Sequence, residues 1–256
     1  MKGNAWASKI GFILAAAGSA IGLGAIWKFP YTTGTNGGGA FLLLFLAFTL
    51  LLGLPVLIAE FLIGRTSGKT ALRAFSELGH KKYTFIGWLG VIACFLLLSF
   101  YSVIGGWVLI YIVLGFSGNL TSMNGSDLGE LFATVSGSPG YAITGQLIFL
   151  IITCVIVLRG VQAGIEKMSK IMMPLLFLCF IVLVVRSLTL EGAGAGVRFF
   201  IEPDFSALNR TSVLSALGQA FFSLSLGVSA MLTYASYMKE RGQINRSAIW
   251  IVFSAA

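Results

Sequence analysis

From Ala40 to Gly64 the chain carries one charged residue, Glu60, and from Phe85 to Phe116 it carries none. Runs of this kind leave few folds open. About 20 consecutive apolar residues in a helix match the roughly 30 Å hydrocarbon core of a bilayer. Backbone in lipid must find its hydrogen bonds within its own segment, which favours helices. Further apolar runs cover Ile10–Tyr31, Gly140–Leu158, Ile171–Val185 and Val213–Met238. Charged residues make up 10% of the 256, against 57% hydrophobic, less than half the roughly 25% charged share of a soluble domain. The expected fold is therefore an all-α polytopic membrane protein in the lipid bilayer. A last apolar segment, Ser247–Ala256, reaches only about 15 Å as a helix. It reads as the start of a seventh span in an incomplete portion of a larger protein, with a short interfacial helix as the alternative.

Charge gives the orientation. Lys2 and Lys9 precede the first run, and Arg65, Lys69, Arg73, Lys81 and Lys82 follow the second. Arg159, Lys167 and Lys170 follow the fourth, and Lys239, Arg241 and Arg246 follow the sixth. These alternate loops hold thirteen of the 17 basic residues, which places them and the N-terminus in the cytoplasm of a multi-pass membrane protein. The net charge of +8 thus reflects topology and an anionic inner leaflet. No basic face interleaved with aromatics points to nucleic acid.

Several motifs are decoys. Gly64-Arg-Thr-Ser-Gly-Lys-Thr70 has three residues between its glycines where a phosphate-binding loop needs four, and it follows an apolar run instead of a strand. Gly22-Leu-Gly24 lacks the third glycine of a dinucleotide fingerprint. Cys94, Cys154 and Cys179 lie inside the runs and read as small buried hydrophobes. No serine–histidine–acid or paired-carboxylate grouping shares one depth, so the expectation is that the chain is not an enzyme.

The informative stretch is Ala15–Pro30, AAAGSAIGLGAIWKFP, an apolar run holding three glycines, a serine, a lysine and a proline. An interrupted helix survives in a membrane only where it faces protein or a watery cavity. Its ends then offer N–H groups to anions and carbonyls to cations. A small-residue packing face is the alternative. The sixth run favours the break, because Ser223, Ser225, Gly227 and Ser229 fall in its middle beside Phe221 and Phe222. Two interrupted spans in matching positions suggest an inverted repeat with a binding site at its centre. On this reading residues 1–187 form a first five-helix repeat, 188–212 an outer loop, and 213–256 the start of a second repeat.

These residues resemble the neurotransmitter:sodium symporter family in its bacterial amino-acid-transporter branch. The likeness runs from Trp6 to the chain end. It is carried by Gly11-Phe-Ile-Leu-Ala-Ala-Ala-Gly-Ser-Ala-Ile-Gly-Leu-Gly24, Trp27-Lys-Phe-Pro-Tyr31 and Asn36-Gly-Gly-Gly-Ala-Phe41. Pro55 to Glu60, Gly218-Gln-Ala-Phe-Phe-Ser-Leu-Ser-Leu-Gly227 and Thr233-Tyr-Ala-Ser-Tyr237 add to it. The resemblance implies the leucine-transporter-type inverted-repeat fold and sodium-driven symport of an amino acid by alternating access.

Carried over by motif position, Gly22, Leu23 and Gly24 belong to the substrate site, with Leu23 and Gly24 offering N–H groups to the substrate carboxylate beside the Tyr101 hydroxyl. The carbonyls of Ala20, Phe222 and Ser223 would receive its ammonium. Leu97, Ser225 and Val228 would line the side-chain pocket. Val228 is smaller than the phenylalanine of some relatives, which leaves room for a bulky apolar or aromatic substrate. Lys28, Tyr101, Gln219 and Phe222 take the gating positions. The Ala20 carbonyl and Ser223 would serve one sodium ion, and the Gly18 and Ile21 carbonyls half of a second. Glu60 would brace the broken backbone from inside a span. Gly164 and Pro174 match a spacing that lets the inner part of the fifth helix unwind; the alternative is an ordinary helix start and a tolerated proline.

The chain departs from the family at Ala25, where an asparagine usually supplies a sodium ligand, so one or two sodium ions are expected and chloride dependence is left open. Lys28 stands at an arginine position, keeping charge without the bidentate fork. The N-terminal arginine of the inner gate is absent, with Lys2 nearby. Two other functions fit the same residues: a half-transporter needing a second chain, and an amino-acid sensor without transport.

Overall fold

The structure, a computed structural model, describes residues 5–22, 24–118, 120, 123–238 and 244–255. All regular structure among them is helical. The first span is two helices, α1 (Lys9–Ala20) and a π-helical turn (Gly24–Lys28) running into α2 (Phe29–Thr35), bent by 45°. The second is α3 (Gly39–Phe48) and α4 (Leu54–Ser67) with a π-helical turn, Thr49–Gly53, between them. Pro55 explains that turn. It has no N–H to continue the ladder, and the Leu54 N–H reaches back to Thr49 O instead. After α5 (Ala71–Glu77), α6 (Thr84–Phe116) is one continuous span. Then come α7 (Gly125–Gly137), α8 (Pro139–Leu158), a π-helical turn (Val161–Glu166) and α9 (Lys167–Leu188). The rest is α10 (Ala193–Ile201), α11 (Arg210–Ser223), α12 (Ala230–Ser236) and α13 (Ile244–Ala255).

Among the described residues, four helices or helix runs are long and apolar enough to cross a membrane: Gly39–Ser67, Lys81–Phe116, Pro139–Leu158 and Val161–Leu188. The bent first pair makes a fifth. The halves of the sixth span, of 14 and 7 residues, reach about 20 and 10 Å, so neither crosses alone.

Two sequence expectations need correction. The fifth helix begins well before Ile171, at Val161, and takes in Lys167 and Lys170. Lys170 is held one turn from Glu166 by an i,i+4 ion pair at 2.7 Å, which lets charge continue a helix past its apolar part. Arg246 likewise lies inside α13. The stretch 188–212 carries the short helix α10, and α7 lies between the third and fourth spans.

The chain divides into two compact units, Met1–Val91 with Val161–Ala256, and Ile92–Gly160. In the first unit α4 packs against α12, α3 against α11, and α1 against both α9 and α13. Its core joins Trp6 and Phe12 to Leu57, Phe61, Leu224 and Met231, with Phe12 edge-on to Phe61 at 5.4 Å. Ala15 and Ala16 are buried there, small enough to bring helices close without large side chains between them. In the second unit α6 and α8 meet backbone to backbone. A Cβ at Gly106 would lie 2.5 Å from Gln146 N. Beside this contact Gln146 Nε2 donates to Ser102 Oγ at 2.9 Å, the small-residue-plus-hydrogen-bond contact of membrane helices.

Candidate functional site

The site is built where two helices stop. α1 ends at Ala20, so its last carbonyls have no continuing turn to bond. The Ala17 carbonyl accepts the Ile21 N–H at 2.7 Å. The Ser19 carbonyl accepts the Ser225 hydroxyl at 3.1 Å, and the two serine oxygens lie 3.3 Å apart. The carbonyls of Gly18 and Ala20 belong to this same last turn, with Ala20 and Ile21 buried. Gly22 accepts the N–H of Ala25 at 3.0 Å and of Ile26 at 3.3 Å, which starts the π-helical turn. Leu23 lies outside the described residues.

The sixth span breaks between Ser223 and Ala230. Three residues in the gap have left-handed backbone: Ser225 at φ 52°, Gly227 at 78° and Ser229 at 61°. Among the described residues, those two serines are the only non-glycine residues with positive φ. Such backbone costs about 1–2 kcal/mol per L-residue and persists only where surroundings fix it. The surroundings here do. Gly227 N–H donates to Glu60 Oε1 at 2.7 Å, a short hydrogen bond from α4 of the second span. Ser229 Oγ sits where a Cβ on Gly90 would be, so only glycine fits at that point of α6.

A second bridge joins the breaks. Gln219, 1% exposed, donates Nε2 to the Gly24 carbonyl at 3.0 Å and to Ser223 Oγ at 3.2 Å. Its Oε1 is buried without a hydrogen-bond partner among the described residues. A Cβ on Gly24 would meet Phe222 Cε1 at 2.6 Å, so a larger residue here has to displace the Phe222 ring. Lys28 Nζ stands 4.6 Å above the Phe222 ring, a cation–π contact that ties the two spans. Ala20, Gly22, Gly24, Lys28, Gln219, Phe222, Ser223, Ser225 and Val228 therefore lie on the facing breaks of one unit. Gly18 lies in the last turn of α1, with a Cβ there 2.9 Å from Met173 Sδ. Gly164 is buried in the π-helical turn and Pro174 is inside α9. Leu97 and Tyr101 are on α6 in the second unit, both partly buried.

The bare sequence marked Ser19 only as a small residue of the first break, and it did not single out Gly90, Gln162 or Glu166. Glu166 carried one local signal, a basic partner four residues on, and Ser8 another, the N-cap position whose hydroxyl accepts the Gly11 N–H at 3.0 Å. Their long-range bonds have no local signal.

Comparison with known proteins fixes the class. The sodium:neurotransmitter symporter family matches residues 3–128 and 133–256, and the chain belongs to it. The sodium-dependent transporter YhdH of Bacillus subtilis, an uncharacterized protein by name, is 56% identical over 248 residues, covering 96% of this chain and 55% of that protein. An uncharacterized sodium-dependent transporter of Methanocaldococcus jannaschii is 39% identical, covering 98% of this chain and 52% of its own length. The crystal structure of MhsT in complex with L-phenylalanine superposes with a TM-score of 0.92 at 44% identity, over 98% of this chain and 58% of MhsT. The leucine-transporter-type fold expected from the motifs is thus the fold found. The chain spans about half the length of the curated relatives it matches. Its family is one of sodium-dependent membrane transporters, not of enzymes.

Proposed function

We propose that this chain is the N-terminal portion of a sodium-coupled symporter for a neutral, apolar or aromatic amino acid in the cell membrane, with its N-terminus cytoplasmic. The observation that carries the reading is the pair of broken spans linked through Ser19–Ser225 and Gly24–Gln219. Two helix ends facing each other present both polarities a zwitterion needs. N–H groups after the first break suit a carboxylate; carbonyls of Ala20, Phe222 and Ser223 suit an ammonium. Leu23 and Gly24 take the first role by resemblance, and Leu97 and Tyr101 keep the roles that the resemblance gives them.

Sodium belongs at the same carbonyls. Backbone oxygens of Ala20 with the Ser223 hydroxyl make one partial cage, and those of Gly18 and Ile21 half of another. Neutral oxygens hold a small cation without burying a permanent charge. Ala25 offers no side-chain oxygen to the first cage, which gives the substrate carboxylate a larger share in holding the ion. That makes ion and substrate binding mutually supporting, with a coupling of about 1–3 kcal/mol. The substrate class is supported by L-phenylalanine in MhsT at 44% identity and by the small Val228.

The test is radiolabelled binding of a panel of neutral amino acids to the full-length protein, in sodium and in potassium. Sodium-dependent binding of phenylalanine, leucine or tryptophan is expected, with uptake into vesicles under a sodium gradient. Binding that ignores sodium would end the symporter reading, and binding without uptake would make the protein a sensor.

A further inference from the structure

The contact between α6 and α8 is of two kinds. One is close approach of backbone. A Cβ at Gly105 would lie 2.5 Å from the Phe149 ring, and one at Gly106 would collide with the Gly145 backbone. All three glycines are buried. Small residues bring membrane helices together, but a glycine face is smooth, and one helix can turn or slide along the other. The second kind is directional. Gln146 Nε2 donates to Ser102 Oγ at 2.9 Å, and the Ser102 hydroxyl donates in turn to the Ser99 carbonyl at 3.1 Å. Ser102 is buried. A hydrogen bond of this type keeps its strength only between about 2.7 and 3.2 Å and near a straight angle. It therefore fixes the rotation of α6 where the glycines do not.

That rotation decides where a second face of α6 stands. Helical geometry sets Tyr101 about 100° round the helix from Ser102, and Leu97 about 140° round in the same direction. Ile104 continues this second face and is buried. The face that meets α8 and the face that carries Leu97 and Tyr101 are thus different sides of one helix, and neither can turn without the other. The helix surface lies about 5–6 Å from its axis, so a turn of about 20° sweeps a side chain through about 2 Å. A hydrogen bond to a substrate does not survive such a shift. Gln146 itself stands in α8, whose 20 residues include no charged one. A polar side chain within such a span is costly in lipid and marks a task.

We propose that Gln146 is a positioning residue for substrate binding. Through Ser102 it sets the rotation of α6, and through that rotation it places Leu97 at the side-chain pocket and the Tyr101 hydroxyl at the substrate carboxylate. The roles of Leu97 and Tyr101 rest on the symporter reading, and the hold of Gln146 on α6 does not.

Two measurements on the full-length protein separate these parts. The first needs no substrate. In a background without other cysteines, Leu97→Cys reacts with a membrane-impermeant methanethiosulfonate at a rate set by how that side chain faces water. Adding Gln146→Leu, which keeps the bulk and removes the donor, is expected to change the rate by about threefold or more. Ser102→Ala should change it by a similar factor, and the two together no further, because they remove one bond. The second measurement is equilibrium binding of phenylalanine in saturating sodium. Gln146→Leu should weaken it by about three- to tenfold. In a Tyr101→Phe background the same substitution should cost at most about twofold, the share left to Leu97, because the hydroxyl it positions is gone. Losses that multiply in full would mean that Gln146 acts on the protein at large, and would overturn the proposal. An unchanged labelling rate would overturn it too. Should Gln146→Leu fail to fold, Ser102→Ala carries the same two expectations. Absence of sodium-dependent binding in the wild type would defeat the symporter reading and with it the substrate role, while the labelling rate still decides whether Gln146 holds α6.

Discussion

The first and sixth spans break by different means. After Ala20 the first span leaves the helix at Ile21 and Gly22. Ile21 keeps an ordinary φ of −88°, and the chain winds on as a π-helical turn from Gly24. The sixth span gives up helix altogether from Leu224 to Ser229 and puts two serines into left-handed backbone. One break is written in small residues; the other is forced by its neighbours. Glu60 holds Gly227, Ser19 holds Ser225, and Gly90 leaves space for Ser229. Breaks of similar purpose thus differ in where their stability resides. The first should tolerate loss of outside contacts, and the second should not.

That contrast can be broken most forcefully at Glu60. Glu60→Ala deprives the Gly227 N–H of its carboxyl acceptor, a loss of about 1–3 kcal/mol. The thermal midpoint of the full-length protein in detergent should fall by several degrees, with Glu60→Gln in between. An unchanged midpoint would mean that the sixth break holds itself. Next in size is Gly24→Ala, whose methyl group must displace the Phe222 ring. A loss of about 1–3 kcal/mol is expected, read as weaker phenylalanine binding along with a lower midpoint.

The bridge between the breaks comes third. Ser225→Ala keeps the positive φ and loses both contacts with Ser19, worth about 1 kcal/mol. Combining it with Ser19→Ala should add little, since the two substitutions remove the same bond; full additivity would show that the serines do not act together. The smallest effect is the sharpest. Ser229→Gly relieves left-handed backbone and should stabilise the protein by up to about 1 kcal/mol. Ile21→Gly relieves nothing and should destabilise it by a similar amount. Equal signs in a thermal-shift measurement would erase the difference between the breaks.

Much of this was legible beforehand. The second, third and fourth spans follow from uninterrupted apolar runs, and the structure ends them within about three residues of the reading. The breaks followed from glycine and serine in the middle of apolar runs. Other features were hidden. Lys167 and Lys170 read as loop because charge marks the end of an apolar run, yet an ion pair carries the helix through them. The π-helical turn in the second span rests on a single missing N–H at Pro55, which a hydropathy pattern does not see. Glu166 drew no reading, because two of its partners, Ala7 and Ser8, lie nearly 160 positions away.

The sequence by itself determined that this chain is helical, lives in a membrane and interrupts its first and sixth spans, because each of these depends on the composition of a continuous segment. Tertiary structure alone decided what holds the interruptions. Glu60 meets Gly227 across 167 positions, Ser225 meets Ser19 across 206, and Ala7 meets Glu166 across 159. A hydrogen bond has a reach of about 3 Å. Which of many serines and carboxylates comes within that reach is set by how helices pack, and packing is a property of all the segments at once.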